Sequence, residues 1–150
     1  MRQAIELALR NVRESSGGPF AALVVRQDEI ISRGTNQVTA MNDPTAHAEI
    51  VAIRNACAAL RNFQLTGCEI YTTCEPCPMC LGAIFWSRPA KVFYASTKED
   101  AAAIGFDDSL IYSQITQPPP QRRIPMLQIL RDEALVSFRE WEKKPDKVRY

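Results

Sequence analysis

The chain has 150 residues, 46% of them hydrophobic, and 18 Lys and Arg stand against 17 Asp and Glu. That length suits one domain with a single buried core, and the near-zero net charge lacks the basic footprint of a protein that grips a long nucleic-acid backbone. No stretch approaches the length of an apolar membrane span, and the N-terminus does not read as a secretory leader, so the expected setting is the cytoplasm with no membrane partner. Five cysteines are an odd number, and Cys74, Cys77 and Cys80 lie close together, which points to free thiols for metal or chemistry rather than to disulfides.

Ile5, Ala8, Leu9 and Val12 recur at helical spacing and predict an amphipathic helix over 2–14, ended by Ser15, Ser16, Gly17, Gly18 and Pro19. A continuous apolar run over 20–25 and a second run over 29–34 read as a hairpin whose first strand is covered on both faces. Asn42, Asp43 and Pro44 form a turn, and Ala46, Ile50, Ile53, Cys57 and Leu60 place the next helix at 46–60. Strands at 68–73 and 91–95 bracket a helix at 77–86, an order that demands a right-handed parallel crossover. The pattern is α/β: a three-layer α/β/α sandwich around a mixed sheet. A stiff Pro-rich linker at 117–121 precedes a last strand at 124–130 and a helix at 133–141, and the basic stretch 143–150 reads as a frayed tail.

His47 is the sole histidine, and with Glu49, Pro76, Cys77 and Cys80 it completes H-x-E followed by P-C-x-x-C, the signature of zinc deaminases. Two cysteines three residues apart at a helix start share a face, and the partial positive charge there favours the thiolates that zinc requires. One imidazole and two thiolates leave a tetrahedral Zn2+ its fourth position for water or hydroxide, and zinc lowers the pKa of that water to about 7. Iron or cobalt suits the same donors. Glu49 falls on the apolar stripe of Ala46, Ile50, Ile53 and Leu60, a placement that fits a proton shuttle. Residues two apart do not face each other on a regular helix, so His47 and Glu49 must converge at its first turn.

Each assignment has a plainer alternative. Cys74 with Cys77, Cys80 and His47 could close a four-ligand structural zinc module that only scaffolds partners. Asn36 reads equally as a turn residue, Phe20 and Trp86 as core aromatics, and Asp107 with Asp108 as a surface turn. Cys57 and Cys68 read as small core residues.

Over essentially its whole length the chain resembles the cytidine deaminase superfamily, and within it the bacterial guanine deaminases. The blocks that carry the likeness are GGPF at 17–20, GTNQVT at 34–39, NDPTAHAE at 42–49, CEPCPMCLGAI at 74–84 and IGFDDS at 104–109. The resemblance implies a five-stranded mixed sheet, one Zn2+ per subunit, and hydrolysis of guanine to xanthine and ammonia. It further implies that Asn36 hydrogen-bonds the purine and that the backbone of Ala48 contacts its carbonyl oxygen. Phe20 and Trp86 would wall the ring, and Asp108 would accept protons from the guanine edge. It implies, too, a homodimer in which a swapped C-terminal segment, 131–150, brings Tyr150 to the neighbouring site, with Pro118 to Pro120 as a stiff hinge. A tRNA adenosine deaminase shares the zinc blocks and is the main alternative, although GFDDS is an acidic cluster that would repel phosphate. Cytosine, a nucleoside or an aminotriazine would satisfy a pocket that reads one amino and one carbonyl edge.

Overall fold

The computed structural model describes residues 1–149, and the chain divides into two compact units, the first ending at Asp108. The first unit runs α1 (Arg2–Arg13), β1 (Ala21–Arg26), β2 (Glu29–Thr35), α2 (Val38–Met41), α3 (Ala48–Leu60), β3 (Glu69–Cys74), α4 (Pro78–Ser87), β4 (Lys91–Ser96) and α5 (Lys98–Ala103). Its sheet has the order β2-β1-β3-β4, with β1 antiparallel to both neighbours and β3 parallel to β4 across the α4 crossover. Gln27 and Asp28 both take positive φ, 51° and 65°, the geometry that turns a two-residue hairpin without splaying its right-twisted strands.

Alternation along β1 builds the layers, since successive side chains point to opposite faces. Ala22 and Val24 join Ile70 of β3, Ile84 of α4 and Ala48, Ala52, Ile53 and Ala56 of α3 in one buried cluster. Ala21 and Leu23, also buried, face the other way, where α1 packs with Ala4 and Ala8. Each fully buried Val, Leu or Ile contributes about 1.5–3 kcal/mol, and Val24, Leu65 and Ile70 are fully buried. The alanines of α3 let that helix approach the sheet closely, and Gly34 completes the fit. A Cβ at Gly34 would lie 2.2 Å from the Ala48 carbonyl oxygen.

Both helices at the chemical signature begin later than their periodicity predicts, at Ala48 rather than 46 and at Pro78 rather than 77. The cause is local: His47 and Cys77 have extended backbones and stand just outside the first turns as N-caps. Cys68 is fully buried in the core with Cys57 packed against it, as expected of small apolar residues, and all five cysteines are free thiols.

The second unit contains α6 (Ser109–Ile115), a 3-10 turn (Pro119–Gln121) and α7 (Arg131–Lys143). The expected fifth strand over 124–130 is not formed, so the sheet of the described residues has four strands rather than five. Pro125 has no N–H to give to a ladder, and the segment finds no neighbouring strand. Its apolar side chains Ile124, Leu127 and Ile129 are exposed. No helix among the described residues is long and apolar enough to cross a membrane.

Candidate active site

The site is assembled where two helices begin. His47, with ψ 155°, carries its imidazole off the end of α3, and Cys77, with ψ 167° and Pro78 following at the first helical position, does the same for its thiol at α4. Cys80, the third residue of α4, is buried. His47 Nδ1 lies 3.6 Å from both Cys77 Sγ and Cys80 Sγ, and all three donor atoms fall within 4.8 Å of one another. Tetrahedral zinc with bonds of about 2.0–2.3 Å separates such donors by about 3.6–3.8 Å, so the spacing fits the ion.

The charges are set for the same purpose. Its contacts with Cys80 and then His47 hold the Cys77 thiol down at about 4, whereas the neighbouring Cys77 and burial push Cys80 up. The bond to Cys77 also raises His47. The two thiols are thus coupled, and a cation held by both as thiolates must displace their protons.

Glu49 is 5% exposed, at the second position of α3. Its Oε1 accepts a 2.6 Å hydrogen bond from Thr72 Oγ1, and its Oε2 accepts from Cys80 Sγ at 3.3 Å. The requirement that His47 and Glu49 converge is met because His47 stands off the helix and Glu49 on it. Ala48 lies buried between them, in a first turn whose N–H groups have no intrahelical partner. Cys74 is not part of this cluster. Its Sγ donates to the Thr97 carbonyl at 3.5 Å, and burial pushes its thiol up to about 11. Among the described residues the donors at hand are thus three, and no four-ligand closed module is assembled.

The other expected residues divide. Asn36 follows β2 and is buried; its N–H donates to the Phe20 carbonyl at 3.0 Å. Asn11 of α1 donates to the carbonyls of both Gly18 and Asn36, at 2.9 and 3.1 Å. Gly17 permits this approach, because a Cβ there would fall 2.1 Å from the Asn36 carbonyl oxygen. Phe20 is half-buried and meets Phe106 edge-on with ring centroids 4.9 Å apart. The Asp108 carboxyl is pushed up by burial and then by the Cys77 charge, which sets it within electrostatic reach of the cluster. Trp86, in the last turn of α4, is 64% exposed. Tyr150 lies outside the described residues.

Sequence reasoning missed Thr72, Asn11 and Phe106. Asn11 had left a signal: it is the polar member of the buried face Ala4, Ala8, Asn11.

A His and two Cys at metal spacing, with a buried glutamate against them, define a zinc-dependent deaminase site. The chain belongs to the cytidine and deoxycytidylate deaminase family, whose zinc-binding region matches residues 1–96. It is 50% identical to the guanine deaminase of Bacillus subtilis over the whole chain and 96% of that protein. The X-ray structure of the Bacillus subtilis guanine deaminase superposes with a TM-score of 0.97 over 99% of this chain and 95% of the other. A tRNA-specific adenosine deaminase of Aquifex aeolicus is 35% identical over 93% of this chain and 92% of its own length.

Proposed function

We propose that the chain hydrolyses guanine at its exocyclic amino group, releasing xanthine and ammonia. The observation that carries this reading is the buried Glu49 carboxylate set against His47, Cys77 and Cys80 in a chain 50% identical, end to end, to a guanine deaminase. His47, Cys77 and Cys80 would hold one zinc ion per subunit. When bound, zinc leaves one coordination position to water and makes a strong nucleophile available at neutral pH. Glu49 works on the Cys80 side through Oε2. It takes one proton from the attacking water and delivers it to a ring nitrogen, then takes the second proton from the newly added oxygen and gives it to the departing amine, so that guanine and water become xanthine and ammonia.

Guanine would be read by Asn36, by the first-turn N–H of Ala48 and by Asp108, with Phe20 and Trp86 against the ring faces. Asp107 and Asp108 and a net charge of +1 suit a free base better than an RNA backbone. The discriminating assay is ammonia release from guanine, guanosine, cytosine, adenine and an adenosine-bearing tRNA stem-loop, with Glu49→Gln as the blank. Turnover of guanine supports the reading, and turnover of the stem-loop alone would replace it.

We propose also a homodimer in which the segment 131–150 reaches a second copy and Tyr150 closes its site. In support, Ile124, Leu127, Ile129 and Leu130 and, in α7, Phe138 are all more than half exposed in the single chain, more apolar surface than a monomer usually shows. Light scattering should return twice the 16.8 kDa chain mass. A monomer mass would end the proposal.

A further inference from the structure

We propose that Thr72 is a positioning residue for the reaction, holding Glu49 by one carboxylate oxygen so that the other is presented to the metal-binding cluster. The proposal rests on the deaminase reading above.

Thr72 belongs to the face of β3 that Ile70 contributes to the core, and it has no exposed surface. A hydroxyl at such a position costs stability unless it finds a partner. Neighbouring Thr73 points to the other face, where its Oγ1 accepts from the Ala21 N–H at 3.0 Å. Thr72 instead donates across the sheet to α3, with Oγ1 at 2.6 Å from Glu49 Oε1, a short bond of the charge-assisted kind. The two carboxylate oxygens are thereby made unequal. Oε1 is held by the strand, and Oε2 faces Cys80 at 3.3 Å.

This matters because a proton shuttle must keep an oxygen within hydrogen-bond reach of the reacting atoms. A carboxylate free to rotate about its terminal torsion, which is broad and roughly two-fold, would spend time with neither oxygen on the reacting side. The Thr72 hydroxyl restricts that torsion from a rigid strand, and it leaves Oε2 as the atom that takes up and returns the proton. Outer partners of this kind typically account for ~10–100-fold in activity.

The test compares Thr72→Val, which keeps the shape and deletes the hydroxyl, with Thr72→Ser, which keeps the hydroxyl. Both are assayed as zinc-loaded full-length protein, with zinc per chain and the thermal midpoint measured alongside. The expected result for Thr72→Val is a kcat lower by ~10–100-fold, with KM and zinc content near wild type. Thr72→Ser should restore most of the rate. A kcat for Thr72→Val within about twofold of wild type, well short of the ~10–100-fold effect of such partners, would overturn the proposal. So would a serine variant that falls as far as the valine. If Thr72→Val does not fold, Thr72→Ala removes the hydroxyl without setting a methyl group against the carboxylate, and the same comparison with serine decides. Wild-type protein inert towards guanine would sink the substrate reading alone, and the Thr72 comparison would then be run on whichever amino-heterocycle the wild type deaminates.

Discussion

His47 caps α3, Cys77 caps α4, and the two side chains meet with Nδ1 3.6 Å from Sγ. The positive ends of two helix dipoles are thus turned on one point, which favours the thiolate at Cys77. Two extended cap residues bring together parts of the chain 30 residues apart.

Glu49→Gln should retain zinc and lose turnover. The amide keeps the volume and an oxygen for the Thr72 hydroxyl, but it cannot take up a proton. General acid and base work is worth ~10²–10⁴-fold, so kcat should fall at least a hundredfold on that scale. Ammonia release together with metal analysis checks both halves.

Zinc content should separate the cysteines. Cys77→Ala and Cys80→Ala should purify without stoichiometric zinc, whereas Cys74→Ala should keep it, because Cys74 is turned to the Thr97 carbonyl. Cys74 also carries a pH signature. Its folded pKa, about 11, lies above the unfolded value of 9.0, so the folded state holds the proton more tightly. The stability this adds is whole below pH 9.0 and is lost as pH rises from 9.0 through about 11. Denaturant midpoints at pH 8 and pH 10.5 should therefore differ less in Cys74→Ala than in the wild type.

Gly34→Ala should destabilise the fold by about 1–3 kcal/mol, at the upper end of overpacking, because the new methyl would strike backbone atoms that cannot step aside. The nearest are the Ala48 carbonyl oxygen at 2.2 Å and the Ala52 nitrogen at 2.5 Å. Since Ala48 sits between His47 and Glu49, activity should drop with stability. Urea midpoints and kcat measured on one preparation test the coupling.

Asn36→Ala should raise KM for guanine with zinc content unchanged. Loss of a side chain that hydrogen-bonds a buried substrate costs about 1–3 kcal/mol, or roughly 5- to 150-fold. An unchanged KM would return Asn36 to the role of a loop residue that ties Phe20 in place.

Much of this architecture was legible because it is written in short-range patterns. The apolar runs of β1 and β3, the stripe of α3 and the breakers around them place these elements to within two residues. The cluster of His47, Cys77 and Cys80 with Glu49 beside it was legible because ligand chemistry restricts residue types as well as spacing. α5 was missed although its signal is present: Thr97 and Asp100 form a capping box ahead of Ala101, Ala102 and Ala103. The segment 124–130 was over-read, since β-branched and apolar residues outvoted Pro125. Thr72 was invisible for a different reason. A threonine in a strand is ordinary, and only the approach of β3 to the start of α3, 23 residues away in the chain, gives its hydroxyl a partner.

The meeting of the two capped helices has a consequence beyond chemistry. An ion held by His47, Cys77 and Cys80 ties a loop of chain 30 residues long, and closing such a loop limits the freedom of the unfolded state much as a covalent cross-link would. Metal supply would then govern how much of this protein survives as well as how fast each molecule works. Under zinc starvation the chain should be lost to unfolding and proteolysis rather than persist as a silent, intact enzyme.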